Sequence, residues 1–298
     1  IFDYNGGSPA AYTDAWAGSG TFTYGTSTLN MTGDGTMNIP AGFDVFNLTG
    51  GASSKTTTIA LPSNGSDLDV YGTLTVDGGT LTDTFNADVI IRGTAPPVVN
   101  GSSTLENLWR IQNVNNMTMP ATTFNHLLVT SSSTCTAGGN MTVNGGLTIS
   151  SGSTFNANAN TIAAQAVDSD GTLDIRNSTL NFSVTSSGDS IDLDSGSTLL
   201  TGNTTLTGNG TANTLATIPS AGNFEVVGDV SNLHLRFSSD LTVVGSVTNC
   251  TFDSTTDNIR QFFHTLDTQQ LLDADEAGDD DLRLTKPALD NALELMTK

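Results

Sequence analysis

Gly146–Phe155 reads GLTISSGSTF, and the same kind of phrase returns at Gly20–Leu29 (GTFTYGTSTL), Gly72–Leu81 (GTLTVDGGTL), Gly171–Leu180 (GTLDIRNSTL) and Gly196–Leu206 (GSTLLTGNTTL). Each copy opens on Gly, alternates apolar residues with Thr or Ser, turns on small polar residues and closes on Leu or Phe. Period-two alternation puts Leu147 and Ile149 on one face of a strand and Thr148 on the other. A unit this short cannot bury its apolar face alone, so neighbouring copies must cover one another. The pattern predicts an all-β chain, an elongated β-solenoid over residues 20–256, with Leu74, Val76, Leu147, Ile149, Leu173, Ile175 and Leu199 in a shared interior. Thr suits the outer face, because its branched side chain favours extended backbone and its hydroxyl can pair between rungs.

Both ends read differently. A solenoid exposes strand edges where it stops, and residues 1–19, with Tyr4, Tyr12 and Trp16, are expected to cap one of them. After Asp253 the texture changes: Ile259, Phe262, Phe263, Leu266 and Leu271 fall at helical spacing, as do Ala288, Leu289, Ala292, Leu293 and Met296. The spacing predicts a short α-helical, acidic C-terminal tail over 257–298, with Thr285 as an N-cap and Pro287 in the first turn of its second helix. Two helices of that length do not fold alone, so Phe262, Phe263, Leu289, Leu293 and Met296 are expected to dock on another surface and drive assembly.

Composition narrows the function classes. The chain has 298 residues, a net charge of −21 and 13% charged residues, and its only lysines are Lys55, Lys286 and Lys298. That field repels nucleic acid, which therefore is not an expected partner. No apolar run approaches the roughly 18 residues of a membrane-spanning helix, and Ile1 is expected to follow a processed stretch. Cys135 and Cys250 are too few and too far apart for a zinc site or a CxxC motif, leaving one long-range disulfide as an open alternative. Asn-x-Ser/Thr sequons are plentiful, Asn116, Asn177, Asn203 and Asn249 among them, as a Ser/Thr-rich composition produces on its own.

Chemistry-bearing constellations are sparse. Asp168 with Asp170, and Asp192 with Asp194, place carboxylates two apart on one strand face, the oxygen-ligand arrangement calcium takes; Asp-Gly and Asp-Ser are also ordinary turn formers. No other cofactor is expected. A β-helix can be a polysaccharide lyase or hydrolase, for which Asp189 with Asp192, or Asp168 with Asp170, would be the acid and base. The basic residues such chemistry needs, Arg92, Arg110, Arg176 and Arg236, are scattered, so binding without catalysis is expected. His126 and His234 occupy comparable repeat positions. Trp109, with Tyr4, Tyr12 and Trp16, supplies either sugar-stacking rings or structural caps.

FNHL at 124–127 followed by NMTVNGGLTISSGSTF, and VYGTLTVDGGTLT around Gly72, resemble the repeats of β-solenoid proteins in phage tail fibres, viral spikes and bacterial surface adhesins. The resemblance spans residues 20–256 and leaves the tail outside it. It implies a structural virion surface protein, a homo-oligomer that attaches to host glycans and meets other virion or surface proteins through its tail. The alternative it implies is an extracellular adhesin or a surface-layer or filament subunit. It carries over no catalytic residue.

Overall fold

A computed structural model describes residues 2–4, 25–31, 33–39, 43–60, 67–83, 88–100, 104–182, 189–194, 196–208, 215–218, 224–237, 241–254 and 259–262. Every pairing between its named strands is parallel, each strand bonding to the one roughly a rung earlier and a rung later in sequence. The chain is all-β, a parallel β-solenoid with no helix among the described residues. Each rung contributes to three faces in turn. On the first face Met117–Met119, Thr134–Ala137, Thr154–Asn156, Thr172–Asp174 and Thr198–Leu200 stack in order. The second and third faces are the two halves of the long strands Thr104–Gln112, Thr123–Thr130, Met141–Ile149 and Thr161–Ser169.

These long strands turn a corner without breaking. Register slips between Phe124 and Leu127 and between Val143 and Gly146, and in both pairings Met141–Ile149 carries the extra residue, a bulge around Asn144-Gly145 where the chain swings from the second face to the third. Inside, like stacks on like: Val89, Trp109, Leu127, Leu147, Val167 and Ile191 form one inward column in register, and all are buried. Leu74, Val76, Leu147, Ile149, Leu173 and Ile175 lie in this core as the repeat predicts, while Leu199 is half-buried against its edge.

Buried polar groups at the corners are mostly satisfied. Thr204 Oγ1 donates to the Ile175 carbonyl and accepts from the Gly202 amide, and Ser133 Oγ accepts from the Val114 amide. At other corners asparagine takes the left-handed conformation that a tight turn requires: Asn177 has φ 56°, Asn203 52°, Asn232 56° and Asn249 51°. Asn249 Nδ2 donates to Asn232 Oδ1 at 2.8 Å, the start of an amide ladder between adjacent corners.

The C-terminal end differs from the sequence expectation. Ile259–Phe262 is a strand rather than the opening of a helix, paired in parallel with Leu241–Val244 so that Phe262 lies beside Val244. Phe263, Leu289, Leu293 and Met296 lie outside the described residues. At the other end Phe2–Tyr4 adds a strand to Thr28–Met31, and Tyr12 and Trp16 lie outside the described residues.

Candidate functional site

The faces divide the chemistry between them. On the second face, from Thr123 to Thr207, the outward positions are Thr123 and Asn125, Thr142 and Asn144, Thr161, Ala163 and Gln165, Thr179 and Asn181, and Thr205 and Thr207, without a single charge. Thr123 stacks on Thr142, and Thr161, Thr179 and Thr205 form a second column in register. Farther up, Thr56 stacks on Thr80 and Thr58 on Thr82. The first face repeats the device with Thr134, Thr154, Thr172 and Thr198. Rungs ~4.8 Å apart thus present rows of hydroxyls and amides at a fixed interval.

Charges gather on the third face. Its central outward column runs Asp44, Asp69, Ile90, Arg110, Leu128, Thr148, Asp168 and Asp192. Ile90 points the same way as these polar residues, yet it is only 1% exposed. Two diagonal ion pairs surround it: Arg92 Nε holds Asp69 Oδ2 at 2.7 Å, and Arg110 pairs with the buried Asp88. The aliphatic stems of Arg92 and Arg110 flank Ile90 by register and can shield it while their heads stay polar. Asp69 Oδ1, Arg110 Nε and Gln112 Oε1 remain buried without a partner among the described residues. Burial, and then the neighbouring Asp69, raise the Asp44 carboxyl above its ordinary range. This ring is missed by reading the sequence along its length, because its partners are a rung apart: Asp69 and Arg92 are separated by 23 positions.

Asp168, Asp170, Asp192 and Asp194 do come together. Register stacks Asp168 on Asp192, and Asp170 is within hydrogen-bonding reach of Asp194 on the next rung. The hydrogen bond with Asp194 raises the Asp170 carboxyl; burial, with Asp194 second, raises that of Asp168. Among the described residues no group of three or more His, Cys, Asp or Glu is placed to hold a metal ion, and register brings like charges together.

That repulsion has a pH signature. Upward shifts mean that the folded state binds these protons more tightly than the unfolded chain does. Their contribution to stability is full below the ordinary Asp range and is lost as pH rises through the raised folded values. Asp174 runs oppositely: its hydrogen bonds to Arg176, at 2.6 and 2.9 Å, lower its carboxyl, and that stability disappears as pH falls through the lowered value. Replacing Asp194→Asn is expected to stabilise the fold near pH 7 by ~0.5–1 kcal/mol, the usual size of a like-charge cross-strand conflict. The gain should shrink as denaturation is repeated down to pH ~4, where carboxylates protonate anyway. A variant no more stable than the parent at pH 7 refutes the conflict.

The remaining candidate residues are dispersed. Trp109 is fully buried, edge-on to Phe124 with ring centroids 6.2 Å apart, and offers no ring face to a sugar. It is a core residue because its strand position belongs to the inward column between Val89 and Leu127. Tyr4 ends the first strand, beside Met31. Cys135 and Cys250 are unpaired: Cys135 is buried in the first face, and its thiol is pushed far up by that burial, while Cys250 sits half-buried at a corner several rungs away. His126 sits beside the bulge of the next rung, its Nδ1 accepting the Gly146 amide at 3.1 Å. Gly145 leaves the space for its ring, since a methyl group there would overlap the imidazole. Compared with protein-family models, curated proteins and solved structures, the chain matches none.

Proposed function

We propose that this chain is a structural solenoid of a virion surface, a fibre, spike or decoration, that attaches to host glycans through many copies and performs no catalysis. The observation that carries the reading is the outer surface itself. Thr and Asn recur rung after rung on two faces, giving a long hydrated wall of hydroxyl and amide groups on a rigid core. Among the described residues the one exposed large hydrophobic is Val98, so no aromatic platform is on offer there. A single sugar contact on such a wall is weak, and useful attachment requires several copies acting together.

The test compares binding of one chain and of an artificially clustered form to a panel of host-surface glycans. Clustering is expected to strengthen attachment by ~100-fold or more, the ordinary range of avidity. A single chain that depolymerises a polysaccharide overturns the reading. Gold labelling of particles against labelling of cell envelopes separates virion display from a cellular filament.

A further inference from the structure

We propose that the solenoid bends at a joint built into its wall, the step between the rung that carries Val98–Asn100 and the rung that carries Met117–Met119, with the third face as the hinge. This inference goes beyond glycan attachment and stands without it. The steps on either side are closed on all three faces. One rung earlier, Asp67–Val70 pairs with Asp88–Ile91, Leu74–Asp77 with Val98–Asn100, and Thr80 and Leu81 with Thr104 and Leu105. One rung later, the run from Leu108 to Gln112 pairs with His126 to Thr130, Met117–Met119 with Thr134–Ala137, and Thr123 and Phe124 with Thr142 and Val143.

At the step between them only the third face is fully paired. There Asp88–Ile91 matches the run from Leu108 to Ile111 residue for residue. Among the described residues the second face keeps just Leu105 beside Phe124, next to a register slip. On the first face Val98–Asn100 ends one sheet and Met117–Met119 begins another, and no ladder joins the two strands. Two prolines account for that gap. Pro97 immediately precedes Val98, Pro120 immediately follows Met119, and neither has an N–H to donate across it. Val98 is 41% exposed at the gap, and Thr118 is exposed too. The paired face is stapled as well: Arg110, below the step, holds the buried Asp88 above it. A wall held along one side and open along the other swings about the held side, because tilting there breaks no ladder hydrogen bond on the first face. The upper rungs can thus lean away from the lower ones while both keep their own ladders.

Spin labels on the full chain test the joint. Thr49→Cys with Thr136→Cys spans it, and Thr118→Cys with Leu200→Cys does not; both pairs sit four rungs apart on the first face, about 19 Å at the usual strand spacing. Cys250→Ser prevents a further label, and Cys135 is buried. Measured by electron paramagnetic resonance, the spanning pair should give a distance distribution ~2-fold broader or more than the control pair. Hydrogen exchange of the unsubstituted chain needs no variant to fold: the Thr118 amide, on the edge with no ladder above it, should exchange ~10-fold or more faster than that of Thr136, its register neighbour one rung below. Pro97→Ala combined with Pro120→Ala returns both N–H groups and should narrow the spanning distribution to the control width. Circular dichroism establishes that each variant is folded. Equal widths for the two pairs overturn the proposal. So do equal exchange rates, and a spanning distribution that replacing the prolines leaves unchanged.

Discussion

Leu173→Asp is expected to cost more than ~4 kcal/mol and to leave the chain unfolded or aggregated near neutral pH. Leu173 is 1% exposed, and its register neighbours, Phe155 above and Leu199 below, offer no hydrogen bond to a carboxylate. A charge at that point has neither water nor a partner. Its sequence neighbour Thr172 faces outward in a Thr column, so Thr172→Asp should shift stability by only ~0.5 kcal/mol. The pair isolates the alternation itself: the same new side chain, one residue apart, on opposite sides of one strand. Urea denaturation followed by circular dichroism reads both. Similar midpoints for the two variants would refute the register on which the whole interior rests.

The repeat phrase revealed the fold because it encodes the alternation, which is local. What each opening glycine does was less visible. Gly171 lets backbone pass close to backbone: a methyl group there would lie 2.6 Å from the Ser150 carbonyl oxygen and 2.9 Å from Ile149 Cγ2. Gly196 instead supplies a positive φ of 95°, in open space. One letter at one repeat position thus answers two separate physical demands, set by the rung above.

The ends and the third face were harder to read for different reasons. Ile259, Phe262 and Phe263 satisfy helical spacing, but a run of four residues satisfies strand alternation almost as well, and pairing with Leu241–Val244 decides the matter. On the third face, Ile90 stands at an outward position where alternation predicts a polar residue. The ring of Asp69, Arg92, Arg110 and Asp88 that accommodates it is assembled from three successive rungs, so no local window contains it. The Asp pairs at 168–170 and 192–194 were visible as spacing, whereas their stacking into one repulsive cluster is a property of register.

Trp109 gives the second large effect, and it also separates a core role from a binding role. Trp109→Ala should cost ~3–5 kcal/mol, since a ring buried between Val89 and Leu127 and edge-on to Phe124 leaves a cavity that a rigid stack of rungs cannot close. Trp109→Phe should cost under ~1.5 kcal/mol. Among the described residues the buried indole Nε1 has no acceptor, and removing an unsatisfied donor offsets part of the lost packing. If Trp109 were a sugar-stacking platform, alanine would abolish glycan attachment and leave the melting temperature unchanged. The buried position requires the reverse order: a large loss of stability with alanine, near-native stability with phenylalanine, and attachment by the folded phenylalanine variant equal to that of the parent chain.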